Sequence, residues 1–323
     1  MIERPGRLLL VCVVLAVASS CSSGGADSAT PSTAALRSSR TTSTTATAPS
    51  TPGTAPVASG DPGGSSAAPP ARYDHVVVFS FENRTWDAVG GEGFKDMPYM
   101  SSLAEHCATL TDLAESDTGQ NSATQYVSQF QGNTNHTARN DCTPSPGCRS
   151  TADNLFRQAR AARLGAVNYV EGATTPCSAE GNAAKHVPAL YFQGADDSAS
   201  CSQQVQPSTQ FDPEKLPAFS FITPNMCNDG HDCDNAKVDA WARANIGAVL
   251  DSQSYRAGRT LVQVWYDEDH PKPNLYVAPT AKAGAGATPV TYRSDLRLWE
   301  DLLGLPCLSG ACGATDLRPL TGV

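Results

Sequence analysis

Two segments of this chain end an apolar run in acidic and amide side chains: Phe81-Glu82-Asn83-Arg84-Thr85-Trp86-Asp87 and Trp265-Tyr266-Asp267-Glu268-Asp269-His270. Brought to one place, Glu82, Asn83, Asp267 and Glu268 offer a metal only oxygen ligands, a set that suits Mg²⁺, Mn²⁺ or Ca²⁺ better than zinc. Taken singly, an acidic pair after a strand is usually a solvated loop. A third segment, Asn228-Asp229-Gly230-His231-Asp232, sets an imidazole beside a carboxylate. There His231 suits a general acid, with Asp232 fixing its orientation; the plain alternative is an exposed histidine in a glycine turn. Ser122 precedes a possible helix over residues 123–130, whose first turn would present free amides and a positive dipole end to an anion. A serine that merely caps that helix fits the same sequence.

These groups need a scaffold that carries distant segments to one edge. Residues 75–81 (HVVVFSF) form a continuous apolar run of the kind found in a strand buried on both faces. Residues 165–171, 218–223 and 260–267 read alike, and 274–278 is a fifth candidate. Between them, residues 151–163 and 236–250 show helical periodicity. Strands alternating with helices predict an α/β fold with a largely parallel central sheet flanked by helices on both faces. Ligands of such sheets collect outside the carboxyl ends of the strands. All three chemistry-bearing segments follow predicted strands.

The 323 residues are 40% apolar, enough for a substantial core, and carry a formal charge of −9 without a basic run after the first residues. That balance argues against nucleic acid as a partner. Arg4 and Arg7 precede an apolar stretch over residues 8–17, which reads as an export signal and is too short for a bilayer span. Ala18-Ser19-Ser20-Cys21 resembles a lipoprotein signal that leaves Cys21 lipidated on the outer face of the cytoplasmic membrane, with secretion after cleavage near Ser20 as the alternative. Residues 22–72 are rich in Ser, Thr, Ala and Pro and read as a disordered tether. The folded domain is then 73–323. Export permits disulfides, and the later cysteines fall as close neighbours: Cys142 with Cys148, Cys177 with Cys201, Cys227 with Cys233 and Cys307 with Cys312, leaving Cys107 unmatched. No paired CxxC spacing supports a zinc site.

From about residue 73 to 308 the chain resembles the bacterial phosphoesterase family that contains phospholipases C and acid phosphatases, a branch of the alkaline-phosphatase-like superfamily. The stretches that carry the likeness are residues 82–87 (ENRTWD), 185–192 (KHVPALYF), 216–232 (LPAFSFITPNMCNDGHD), 266–269 (YDED) and, more weakly, 299–306 (WEDLLGLP). The resemblance implies one divalent cation held by Glu82, Asn83, Asp267 and Glu268 and by a hydroxyl nucleophile. The best match for that hydroxyl is Ser122, with Thr124 and Thr118 as fallbacks. It further implies that Asn83, His186 and Asn228 contact the substrate, a small phosphate ester or a phospholipid headgroup. The chain departs from the family pattern where Gln120 and Asn121 replace His and Pro, and where residues 290–294 lack a histidine. The implied activity is metal-dependent hydrolysis of phosphate esters. A degenerate lipoprotein that binds a phosphorylated ligand is the alternative those departures leave open.

Overall fold

The computed structural model describes residues 62–65, 67–87, 94–114, 121–194, 196–268 and 270–323. The export signal, Cys21, most of the tether, Thr118, Gln120 and Asp269 lie outside the described residues. Nine strands are present among those described: β1 (His75–Phe81), β2 (Ala108–Ala114), β3 (Ala166–Val170), β4 (Val205–Pro207), β5 (Phe219–Thr223), β6 (Thr260–Tyr266), β7 (Lys272–Val277), β8 (Gly284–Gly286) and β9 (Val290–Thr291). The helices are α1 (Pro98–His106), α2 (Ser122–Gln131), α3 (Leu155–Ala161), α4 (Asp197–Gln204), α5 (Asn235–Leu250), α6 (Gln253–Arg256), α7 (Tyr292–Leu303) and α8 (Arg318–Thr321). None of the described helices is long and apolar enough to cross a membrane.

The strands form one sheet in the order β4-β3-β5-β1-β6-β7-β2-β8, with β9 also paired to β2. The expected largely parallel sheet is corrected to a mixed one. β7 runs antiparallel to both β6 and β2, because only a short connection, residues 267–271, separates it from β6, and a parallel crossover needs a dozen residues or more. The β4-β3-β5-β1-β6 half, which carries the motifs, is parallel throughout.

Both faces of that half are covered, which is why its strands read as unbroken apolar runs rather than alternating ones. Phe79 and Phe81 of β1 pack edge-on against Trp241 of α5. On the opposite face Phe219 and Phe221 of β5 and Trp265 of β6 meet Tyr126 and Phe130 of α2 and Trp299 of α7. Each Phe, Tyr or Trp buried in this way removes some 150–250 Å² from water and dominates the packing energy. All four cysteine pairs close as local disulfides, and the buried Cys107 stands outside them with its thiol donating to the Pro62 carbonyl.

Candidate functional site

The parallel pairing of β1 with β6 runs in register to Phe81↔Tyr266, so the next residues, Glu82 and Asp267, leave the sheet side by side. The Asp267 amide still donates to the Phe81 carbonyl at 3.0 Å. One residue on, Asn83 (φ 50°) and Glu268 (φ 41°) both adopt the left-handed conformation. That conformation costs a non-glycine residue roughly 1–3 kcal/mol and persists only where the surroundings enforce it. Here it turns both chains off the sheet edge and leaves the acids facing one another.

Glu82, Asp267 and Glu268 offer carboxylate oxygens that all lie within 4.8 Å of one another. Glu82 and Asp267 are fully buried. The Asn83 amide donates to Asp267 Oδ1 at 3.3 Å, while Asp267 Oδ2 is buried with no hydrogen-bond partner. Burial, then the charges of Asp267 and Asp229, drive the Glu82 carboxyl well above its usual range. Asp267 is pushed up to about 7, chiefly by burial, with the Glu268 charge adding to the rise. Crowded, buried carboxylates with an orphan oxygen are what a hard cation neutralises, so the donor set fits the expected ion.

Ser122 is the first residue of α2, with Asn121 as the N-cap, so it is not the capping serine. Its fully buried hydroxyl lies 2.7 Å from Glu268 Oε1 and 3.2 Å from Glu82 Oε2. One turn along the same helix face, the Tyr126 hydroxyl donates to Glu82 Oε1 at 2.8 Å. Thr124, a fallback nucleophile, instead donates to the Ala138 carbonyl at 2.8 Å.

His186 stacks on Tyr126 and sits between two acids, with Nε2 3.2 Å from Glu82 Oε1 and Nδ1 3.3 Å from Asp229 Oδ2. Neither contact is aligned as a hydrogen bond. Burial holds the His186 pKa below its usual value despite Asp229, so the ring is neutral at pH 7. Glu82, His186 and Asp229 form a second group of potential ligands that shares Glu82 with the first.

The segment after β5 closes the site. Gly230 has φ +100°, a conformation other residues rarely adopt, and a Cβ there would come within 3.3 Å of Val238, so the turn favours glycine. The turn presents His231, whose Nδ1 is 2.8 Å from Asp232 Oδ1 as the sequence predicts. The His231 and His186 rings are 6.2 Å apart. Asn228 donates to both Glu171 carboxylate oxygens at 3.0 Å, leaving its own buried Oδ1 without a partner. His270 lies outside this group and pairs with Asp112.

Several contributors escape a sequence reading. Asp229 carries a signal in retrospect, since it lies two residues before His231, and Tyr126 lies one helical turn after Ser122. Arg84 donates to the carbonyls of Asn83, Gly230 and Cys233, tying the end of β1 to the closing turn. Glu171, at the end of β3, accepts from the Asn225 amide, the Asn228 side chain and Trp241 Nε1. Glu171→Ala strands three donors, and we expect it to lower kcat roughly tenfold with a loss of about 1–3 kcal/mol in stability. Steady-state assays with denaturant melts check this; a variant with wild-type kcat would mean that the 225–232 turn holds itself.

The Phosphoesterase family model matches residues 183–274, from just before His186 into β7. Over 270 residues the chain is 29% identical to a phosphatidylinositol-3-phosphatase of Mycobacterium tuberculosis, covering 80% of this chain and 86% of that protein. It is 34% identical over 89 residues to an acid phosphatase of Aspergillus fumigatus, a match to 26% of this chain and 20% of that one. Its fold is similar to that of murine ectonucleotide pyrophosphatase / phosphodiesterase 5, solved as an inactive variant in complex with AMP. That likeness has a TM-score of 0.53 at 9% identity, over 77% of this chain and 100% of that one, and is one of fold alone.

Proposed function

We infer that this chain is a Phosphoesterase-family enzyme, a phosphoric ester hydrolase in which Ser122 is the nucleophile and Glu82, Asp267 and Glu268 hold a divalent cation. The observation that carries this reading is the Ser122 hydroxyl, buried and within 3.2 Å of two of the three clustered carboxylates. The Ser122 hydroxyl has one proton to donate and two carboxylates in reach, so it cannot by itself offset the charge of three clustered acids, and a cation can. The alternative, a ligand-binding protein with a degenerate site, loses force because the serine stands at the acids although its neighbours Gln120 and Asn121 depart from the family pattern.

When bound, the cation supplies Lewis acidity that favours the deprotonated serine and offsets charge on the phosphoryl oxygens. Ser122 Oγ bonds to phosphorus as the ester oxygen departs, leaving a phosphoserine and an alcohol. His231, half-exposed at the mouth and oriented by Asp232, gives the departing oxygen its proton, a contribution of about 10²- to 10⁴-fold. Water then cleaves the phosphoserine to regenerate Ser122 and release phosphate. Asn83 and the neutral His186 line the phosphoryl pocket. The names of the relatives, phosphatidylinositol-3-phosphatase and acid phosphatase, favour a phosphomonoester over a phospholipase C substrate. Lipidation of Cys21 outside the cytoplasmic membrane belongs to the same proposal, and the four disulfides suit an exported protein.

The test is turnover by the purified protein on a generic phosphomonoester, a phosphodiester and phosphatidylcholine, after chelation and after return of Mg²⁺, Mn²⁺ or Ca²⁺. Hydrolysis lost on chelation and restored by one of these ions is expected. Tight phosphate binding without turnover under every condition would identify the degenerate binder instead.

A further inference from the structure

Directly before the loop stapled by Cys142 and Cys148, Asp141 brings one more carboxylate to this site. Asp141 accepts from the Ala123 amide at 3.2 Å through Oδ1, in the first turn of α2, one residue past Ser122. Its Oδ2 pairs with Lys185 Nζ, also at 3.2 Å. Lys185 directly precedes His186, and its side chain is 13% exposed, against 32% for Asp141. Through Asp141 the lysine ammonium is tied to the first turn of the helix that carries Ser122.

An ammonium and an amide thus converge on one anionic group beside the nucleophile. That group is the chain's own carboxylate, which presents two acceptor oxygens to N–H donors as a phosphoryl group does. Charge explains why such a cation is needed. Ionised Glu82, Asp267 and Glu268 exceed the charge of one divalent cation, so a dianionic ester meets a site that is already negative. A phosphodiester has one charge fewer and one fewer free oxygen. Resting on the hydrolase reading above, we propose that Lys185 binds the phosphoryl oxygen that a phosphomonoester has free and a phosphodiester does not, and that Asp141 holds Lys185 until substrate takes its place. Lys185 is then the residue that makes the site selective for phosphomonoesters.

The experiment compares wild type, Lys185→Met, Lys185→Arg and Asp141→Asn on p-nitrophenyl phosphate and bis-p-nitrophenyl phosphate. Inorganic phosphate serves as competitive inhibitor. Lys185→Met should lower kcat/KM for the monoester by about 10- to 100-fold and weaken phosphate inhibition by a similar factor. The diester rate should stay within about threefold, Lys185→Arg should recover part of the monoester loss, and Asp141→Asn should tighten phosphate inhibition by removing the competing carboxylate. Equal losses on both esters, or unchanged phosphate inhibition, would overturn the proposal. If wild type turns over neither ester, the hydrolase reading fails, and calorimetric phosphate binding then decides this one: an affinity equal in wild type and Lys185→Met sinks it. Should Lys185→Met not fold, unchanged phosphate affinity in Asp141→Asn has the same consequence.

Discussion

Ser122→Ala is expected to lower kcat for phosphate esters by at least about 10³-fold, the scale of loss when a nucleophile is removed and only binding and electrostatic terms remain. The substitution deletes one oxygen from a fully buried position whose neighbours are Glu82 and Glu268, so the fold should tolerate it. Cation affinity should weaken by a modest factor, because three carboxylates remain. Glu82→Gln should behave differently. Glu82 belongs to both potential ligand groups and accepts the Tyr126 hydroxyl, so its loss should remove cation binding and turnover together. Thr124→Ala is the control, since that hydroxyl is committed to the Ala138 carbonyl. Calorimetric cation titration beside steady-state kinetics separates the three variants. Full turnover in Ser122→Ala, or loss in Thr124→Ala alone, would move the nucleophile away from Ser122.

The parts of this molecule legible in its sequence are those fixed by local chemistry. The run of residues 75–81 is β1 to the residue, because no alternation is possible in a strand covered by Trp241 on one side and α7 on the other. The strand-end acids follow from it, as does the placement of Ser122 at the start of α2. What stayed hidden depends on the third dimension. β2 (ATLTDLA) lacks a continuous apolar run and owes its place to pairing with β7, and β7 escaped as an antiparallel strand because direction has no local signature. Asp229 lies next to Asn228, yet only the turn at Gly230 decides that Asp229 faces His186 while Asn228 turns to Glu171. Lys185 was visible as a residue but not as a partner of Asp141, 44 positions away.

The acids proposed to hold the cation should make the cation-free protein lose stability as pH rises. Burial pushes folded Asp267 up to about 7 against a reference of 3.8, and it drives Glu82 well above its usual range in the same sense. Between those pH values the folded state keeps protons that the unfolded chain has released. The contribution is therefore fully present below about pH 4 and is lost as pH climbs through 7. Its size is on the order of a few kcal/mol, several degrees in Tm for a domain of this length. Asp295 at about 6 and Glu300 at about 8 shift the same way, but they lie outside the ligand groups, so a cation leaves their effect in place. The informative quantity is thus the gain in Tm on adding saturating cation. That gain should be small at pH 5, where protons compete for the carboxylates, and large at pH 8, where the cation replaces the missing protons. Asp267→Asn should stabilise the ion-free protein at pH 8 and abolish most of the gain. A gain of equal size at both pH values would show that the cation binds groups other than these buried acids.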